Sequence, residues 1–239
     1  MDQYSKKVQE ELEQWQWKMK KKSSMVNRIS KGFQKKVNNV IPEKVHTVVT
    51  ESIKKMVEAT LVGSNFISNK NLKGPLTLKE SEELVQEKLR SYKRTAAIEG
   101  AGTGAGGIFL GMADFPLLLS IKMKFLFDTS SLYGFDVNNY EERLFILFVF
   151  QLAFSSDDHR KDIYDVLEHW DEKIHEFVDI DWKVFQQEYR DYIDLVKLFQ
   201  LVPGFGAVVG AYANYQLLDH LGETAMNAYR MRILTNRKH

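Results

Sequence analysis

Four groups of residues in this chain have the types and spacing for chemistry. The first is EGAGTGAGG, residues 99–107, where Gly102, Gly104 and Gly107 formally satisfy the G-x-G-x-x-G fingerprint of dinucleotide binding. That fingerprint grips a pyrophosphate only when a strand precedes it and a helix follows, so that backbone N–H groups converge on the phosphate. Here the preceding EELVQEKLRSYKRTAA has the composition and periodicity of a helix, and no Gly-Lys-Ser/Thr follows, so the phosphate-loop reading fails as well. The second group is Glu99 and Asp114, two carboxylates flanking the glycine-rich stretch that could serve as acid and base. Their competing roles are structural, Asp114 as a helix N-cap and Glu99 as a helix-start charge. The third is Asp165 with His169, one helical turn apart as metal ligands can be, without an HExxH or comparable partner set. Asp157, Asp158 and His159 resemble ligands too, but a helix start calls for acids in its own right. No G-x-S-x-G elbow accompanies any serine. The chain therefore reads as non-enzymatic, with no catalytic residue, cofactor site or metal site assigned.

The fourth group is WQWKMKKK at residues 15–22. Trp15 and Trp17 beside Lys18, Lys20, Lys21 and Lys22 combine interface-seeking rings with cations that attract anionic lipid. These six are the candidates for contact with a membrane or partner. In the competing arrangement Trp15 packs on the core and the lysines meet solvent or the acidic 155–194 stretch. Nucleic acid is an unlikely partner, because the basic stretch is short and the whole chain carries a net charge of only +1.

That small total hides a separation of sign. Residues 1–55 hold 13 Lys/Arg against 6 Asp/Glu, net +7, and residues 56–239 hold 20 against 26, net −6. The stretch 155–194 alone holds 13 acids and 5 bases, net −8. Charge distributed in this way implies partners, or one end of the chain docking on the other.

The elements that must position these groups are helices. Tyr4, Val8, Leu12, Trp15 and Met19 recur at helical spacing, and Val26, Ile29, Phe33 and Val37 continue the face after Ser23-Ser24. Pro42 suits the first turn of a helix striped by Val45, Val48, Val49, Ile53, Met56 and Val57. A helix starts near Thr77 or Ser81, with Glu80, Glu82 and Glu83 at its positive end. Asp114 followed by Pro116 predicts a chain reversal there, and Gly134 closes the next apolar segment. YEERLFILFVFQLAF is apolar nearly all round, as a buried helix is. Ile163, Val166, Leu167, Trp170, Ile174 and Phe177 mark one amphipathic helix, and Trp182 to Phe199 a second. Arg230, Arg232, Arg237 and Lys238 form a basic tail. No alternation of period two is convincing, so the expected fold is all-α, a multi-helix bundle with two glycine-rich apolar helices at its centre. The expected division is a basic amphipathic arm, 1–40, and a helical domain, 41–239. The chain has no cysteine, so packing must supply its stability, and its N-terminus lacks the apolar core of a cleaved signal.

Glycines 100, 104, 107 and 111, spaced by four, three and four, fall on one helical face, and Gly206 and Gly210 repeat the pattern after Pro203. Glycine costs a helix interior roughly 1 kcal/mol per position, a cost that close approach of two helix backbones offsets. Gly100, Gly104, Gly107, Gly111, Asp114, Pro116, Pro203, Gly206 and Gly210 are thus candidates for helix packing, in a soluble core or in a hairpin resting on a bilayer. LFQLVPGFGAVVGAYANYQLL, 198–218, is uncharged but interrupted by Gln200, Pro203, Asn214 and Gln216, which weakens it as a membrane span.

The order glycine-rich helix, Asp-x-Pro, apolar helix and aromatic-Gly-aromatic turn in EGAGTGAGGIFLGMADFPLLLSIKMKFLFDTSSLYGFD resembles the EcsC family. LVPGFGAVVGAYANYQLLDHLGETAMNAYRMR is similar to that family's closing helix. The resemblance spans roughly residues 40–235, rests on Gly100, Gly104, Gly107, Asp114, Pro116, Gly134, Pro203, Gly204, Gly206 and Gly210, and extends to the length and start of Bacillus-type members. It brings no catalytic residues. The family takes its name from a gene beside those of an ABC transporter, so the resemblance implies transporter subunits as partners and a cytoplasmic location, peripheral on the inner face of the membrane. A hydrolase-like enzyme using Glu99 and Asp114, and a structural domain that homo-oligomerises through its glycine faces, are the alternatives.

Overall fold

The structure is a computed structural model, and it describes residues 3–21, 43–63, 66, 74–104, 107–155, 159–178 and 207–236; for 43–46, 99–104, 107–114, 178, 207–214 and 236 the backbone alone is described. The described elements are all helical: α1 (Gln3–Lys20), α2 (Glu43–Val62), α3 (Leu78–Gly104), α4 (Gly107–Leu132), α5 (Tyr140–Phe154), α6 (Arg160–Glu168), α7 (Trp170–Val178) and α8 (Ala207–Asn236).

Local sequence sets several of the boundaries. Thr77 and Glu80 form a reciprocal capping box at the start of α3. The Glu80 carboxylate accepts from the Thr77 N–H at 2.8 Å, and the Thr77 hydroxyl accepts from the Glu80 N–H at 3.3 Å. These bonds hold the Glu80 carboxyl below its ordinary pKa. At the end of α4 the N–H of Gly134 reaches Ser131 O and that of Phe135 reaches Ser130 O, both at 3.1 Å. This is a Schellman closure whose left-handed residue is Gly134, φ +88°. Asn139 caps α5, its side chain accepting from Glu141 N–H at 3.0 Å.

Three boundaries differ from the sequence expectation. The chain does not reverse at Asp114; α4 runs unbroken through Pro116. The break falls between Gly104 and Gly107, so the four glycines do not share one continuous helix face but divide between the end of α3 and the start of α4. Two glycine-rich helix ends meeting within two residues supply the backbone freedom that the reversal needs, whereas a proline removes only one N–H from a helix held by packing on both sides. The single amphipathic helix expected after Asp157 is two short ones, α6 and α7, parted at His169 (φ −112°, ψ 37°). The break seats the Trp170 ring edge-on to Phe145 and Phe148, at 5.1 and 5.7 Å. Finally, Arg230 and Arg232 lie not in a tail but within α8, on its packed side.

The centre of the molecule is the long antiparallel pair α3 and α8. Side chains meet in opposing order along it: Glu82 with Arg230, Gln86 with Met226, Leu89 with Gly222, and Lys93 with Asp219. At Gly222 a Cβ would lie 2.7 Å from Leu89 Cδ2, so this crossing is closer than any other residue type permits without rearrangement. The same register carries Gly100 and Gly104 level with the first turns of α8, where Gly210 lies. The glycine-rich ends of the two helices are therefore neighbours. Helix α4 folds back on α3, with the Tyr92 and Phe125 rings edge to face at 5.8 Å, and α2 packs on α4 and α5. Helix α5 runs through the core: twelve of its fifteen residues are buried, including Phe145, Phe148, Phe150 and Phe154. Val49, Ile53, Met56 and Val57 of α2 join the same core, as the expected stripe implied.

Candidate functional site

The six residues suggested for membrane or partner contact part company in the fold. Trp15 is interior, buried with Val8 and Leu12, its ring edge-on to Tyr164 at 5.8 Å. Lys20 is paired with Glu168 at 2.7 Å and lies over the Tyr164 ring, which joins the basic N-terminal helix to the acidic stretch. Trp17 is 62% exposed, with Lys21 above its ring at 4.7 Å. Lys18 shares a shallow groove with Trp17, Glu10, Glu13 and Gln14, so carboxylates offset the cations locally. Lys22 lies outside the described residues.

The packing candidates gather at the other end. Gly100 and Gly104 close α3, Gly107 and Gly111 open α4, and Gly210 is in the first turn of α8, while Pro203, Gly204 and Gly206 lie outside the described residues. Asp114 and Pro116 lie within α4, facing the hairpin turn along the chain. Glu99 and Asp114 are on the two arms of this hairpin, but their side chains fall outside what is described. Ile98, Leu117 and Tyr215, one on each of α3, α4 and α8, are 72%, 46% and 42% exposed near this end.

Sequence periodicity gave no sign of the buried polar couples between these ends. Arg230 of α8 forms a two-pronged bond to Glu82 of α3, both contacts at 2.7 Å, and reaches Glu11 of α1 at 3.1 Å. Tyr4 of α1 donates its hydroxyl to the same Glu82 at 2.7 Å. Burial alone would lower the Arg230 pKa, but the bonds and charge of Glu82 hold it above the ordinary range. These side chains wall a cleft of about 550 Å³ that also includes Lys7, Glu87 and Arg90. A turn away, buried Glu142 of α5 accepts from Tyr229 at 2.6 Å, Ser130 at 2.7 Å and Arg232 at 2.6 Å. The Arg232 guanidinium lies between the Phe135 and Phe145 rings, at 4.1 and 4.3 Å. Asp128 of α4 accepts from Tyr92 at 3.1 Å and faces Lys88 at 3.5 Å. Burial, with Asp128 beside it, raises the Tyr92 pKa. Each couple joins different helices, so chemically these groups act as ties.

Asp165, Glu168 and His169 bring ligand atoms within 4.8 Å of one another and could in principle hold a cation. Lys173 already bonds Asp165, and Lys20 and Tyr164 bond Glu168. The Lys173 bond holds the Asp165 carboxyl below its ordinary pKa.

One group stands apart. Lys122 of α4 is fully buried, and among the described residues its ammonium nitrogen reaches only the carbonyl of Leu118, one turn back, at 3.5 Å. Burial pushes its pKa down to about 7. Its position was legible in principle, because Phe115, Leu119, Lys122 and Leu126 share one helical phase and the other three are core residues.

The chain matches the EcsC protein family over residues 6–234. The chain belongs to the EcsC protein family. It is 61% identical to Protein EcsC of Bacillus subtilis (strain 168) over 227 residues, 95% of this chain and 94% of that protein. It is 30% identical to Uncharacterized protein YdbA of the same organism over 251 residues, 95% of this chain and 92% of that one. No solved structure matches. The EcsC match begins within α1 and ends within α8, so it includes both the docked N-terminal helix and the Arg230 and Arg232 ties.

Proposed function

We propose that this EcsC-family chain is a non-enzymatic accessory protein that works at the inner face of the cell membrane, beside an ABC transporter, through its helical and basic surfaces. The observation that carries this reading is where large apolar side chains are left in solvent. Trp17 stands beside Lys18 and Lys21 at one end of the bundle, and Ile98, Leu117 and Tyr215 form a second group at the other. Aromatic and aliphatic side chains next to cations are suited to a headgroup boundary or to a protein partner at that boundary. The buried carboxylates that might otherwise serve a reaction are engaged between helices, Glu82 by Arg230 and Tyr4, and Glu142 by three donors. Among the described residues no helix is long and apolar enough to cross a membrane, so the reading is of a protein lying on a bilayer. The transporter enters through the family resemblance.

Cell fractionation and a pull-down in mild detergent test the proposal together. The expected result is that the chain sediments with membranes at low salt, is released by high salt, and brings transporter subunits with it. A chain found wholly in the soluble fraction at low salt, with no affinity for anionic vesicles, sinks the reading.

A further inference from the structure

Helix α1 has two long faces. The inner one carries Val8, Leu12 and Trp15, all buried against the bundle. On the outer one Gln3, Lys7, Glu10, Gln14, Trp17 and Lys21 follow one another at steps of four and three, and all six are exposed. Helical geometry lasts through the sixth, since the Lys21 N–H bonds the Trp17 carbonyl at 3.1 Å. Steps of four and three hold residues on one side of a helix, which is the spacing along which two helices lie side by side. Trp17, at 62% exposure, is a large apolar ring left on an otherwise polar stripe.

Charge on this side has an order. Between positions 10 and 21 the acids Glu10, Glu11 and Glu13 come first and the bases Lys18, Lys20 and Lys21 come last, with Gln14 and Trp17 between them. Such an order is complementary to its own reverse. When two copies of α1 lie antiparallel about a two-fold axis between positions 15 and 16, Glu10 meets the partner's Lys21 and Gln14 meets the partner's Trp17, each contact occurring twice. On the flanks Glu11 comes level with the partner's Lys18, and Glu13 with the partner's Lys20. A parallel pair would instead set glutamate against glutamate. An anionic lipid surface laid on the same face would meet Glu10 and Glu13, which share the groove of Trp17 and Lys18. The charges therefore fit a second copy better than a bilayer. Twelve overlapping residues span about 18 Å, so the contact is small and belongs to the weak, transient class.

We propose that the outer face of α1 is a self-docking surface, on which a second copy of this chain lies antiparallel, with Glu10 on the partner's Lys21 and Trp17 over the side-chain stem of the partner's Gln14. The inference names the occupant of the Trp17 face and does not depend on the membrane-surface reading, so its test runs without lipid.

Sedimentation equilibrium of the full chain at rising concentration in low salt measures the association, and added salt should weaken it. Glu10→Lys and Lys21→Glu each turn two attractive pairs into repulsive ones, and each alone should weaken association by about tenfold. The double variant E10K/K21E restores both pairs and should recover the natural affinity. A mixture of the two single variants should form a heterodimer more tightly than either forms a homodimer. Because the natural chain has no cysteine, Gln14→Cys supplies a single thiol; in this register the two copies of position 14 lie about 5 Å apart along the axis. A short bis-maleimide should capture Q14C as a dimer and leave Lys55→Cys, at an exposed position of α2, a monomer. Circular dichroism checks that each variant is folded. A chain that stays monomeric throughout, with no capture of Q14C, overturns the inference. Association of unchanged strength in both single variants assigns it to another face and overturns it as well, as does a double variant or a mixture that recovers nothing. Flotation of the monomeric E10K variant with phosphatidylglycerol vesicles tests the membrane reading separately, since loss of self-docking leaves that binding in place.

Discussion

Replacing Lys122 by methionine should stabilise the protein at neutral pH, and the gain should vanish as the solution becomes alkaline. In the fold the amine is fully buried and its pKa stands near 7, against 10.5 for a solvated lysine. The folded form therefore binds the proton less tightly than the unfolded chain. The sign follows from linkage: below pH 7 both forms are protonated and the fold bears the whole penalty, about 5 kcal/mol at 1.36 kcal/mol per pKa unit. Between pH 7 and 10.5 only the unfolded chain still holds the proton, so the penalty shrinks by about 1.4 kcal/mol per pH unit. Methionine has nearly the same length, no charge to desolvate, and a flexible stem that fits the position among Phe115, Leu119 and Leu126. The assay is urea denaturation of both proteins at several pH values, followed by tryptophan fluorescence, since Trp15 and Trp170 are buried. The K122M variant should exceed the natural chain by several kcal/mol at pH 7 and by less than about 2 kcal/mol at pH 9.5. A gain that is equal at both pH values, or a variant less stable at pH 7, would falsify the reading of Lys122 as an amine whose charge is disfavoured by burial.

Two further expectations concern the helix ties. Arg230→Met removes the guanidinium from the buried Glu82 carboxylate, to which the Tyr4 hydroxyl still donates, and should cost about 3–5 kcal/mol in urea denaturation. The pair Glu82→Leu with Arg230→Met should recover most of that loss, and no recovery would mean the couple does more than satisfy two charges. Gly222→Ala should destabilise by about 1–3 kcal/mol despite alanine's better helix propensity, because its Cβ meets Leu89 Cδ2 at 2.7 Å. The same substitution in a Leu89→Ala background should be neutral or stabilising; equal effects in both backgrounds would remove the close crossing as the cause.

How much of this was legible beforehand varied with the kind of interaction. The helix start near Thr77 or Ser81, the closure at Gly134 and the all-round apolar helix 140–154 were readable because each rests on residues a few positions apart, while the choice of Thr77 with Glu80 as the cap came from the fold. The placement of Trp15 in the core and of Lys20 on Glu168 stood as one of two readings of the same helix, and periodicity could not choose, because a buried stripe and a membrane-facing stripe have the same period. Asp114-Pro116 misled for a related reason: a cap followed by proline is a good local signal for a helix start, but packing along the whole length of α4 carries the helix through it.

The sequence by itself determined the all-α class, the closure at Gly134, the buried helix 140–154, the family, and the presence of two glycine-rich segments. Tertiary structure alone decided that α3 and α8 run antiparallel, so that the described glycine-rich ends of the two helices are neighbours, and that a close crossing falls at Gly222, outside both segments. It also turned Arg230 and Arg232 from tail residues into interior ties and set the exposed Ile98, Leu117 and Tyr215 on one end of the bundle. Helix formation depends on neighbours within one turn, whereas partnering Glu82 with Arg230 depends on groups 148 positions apart, which no local pattern records.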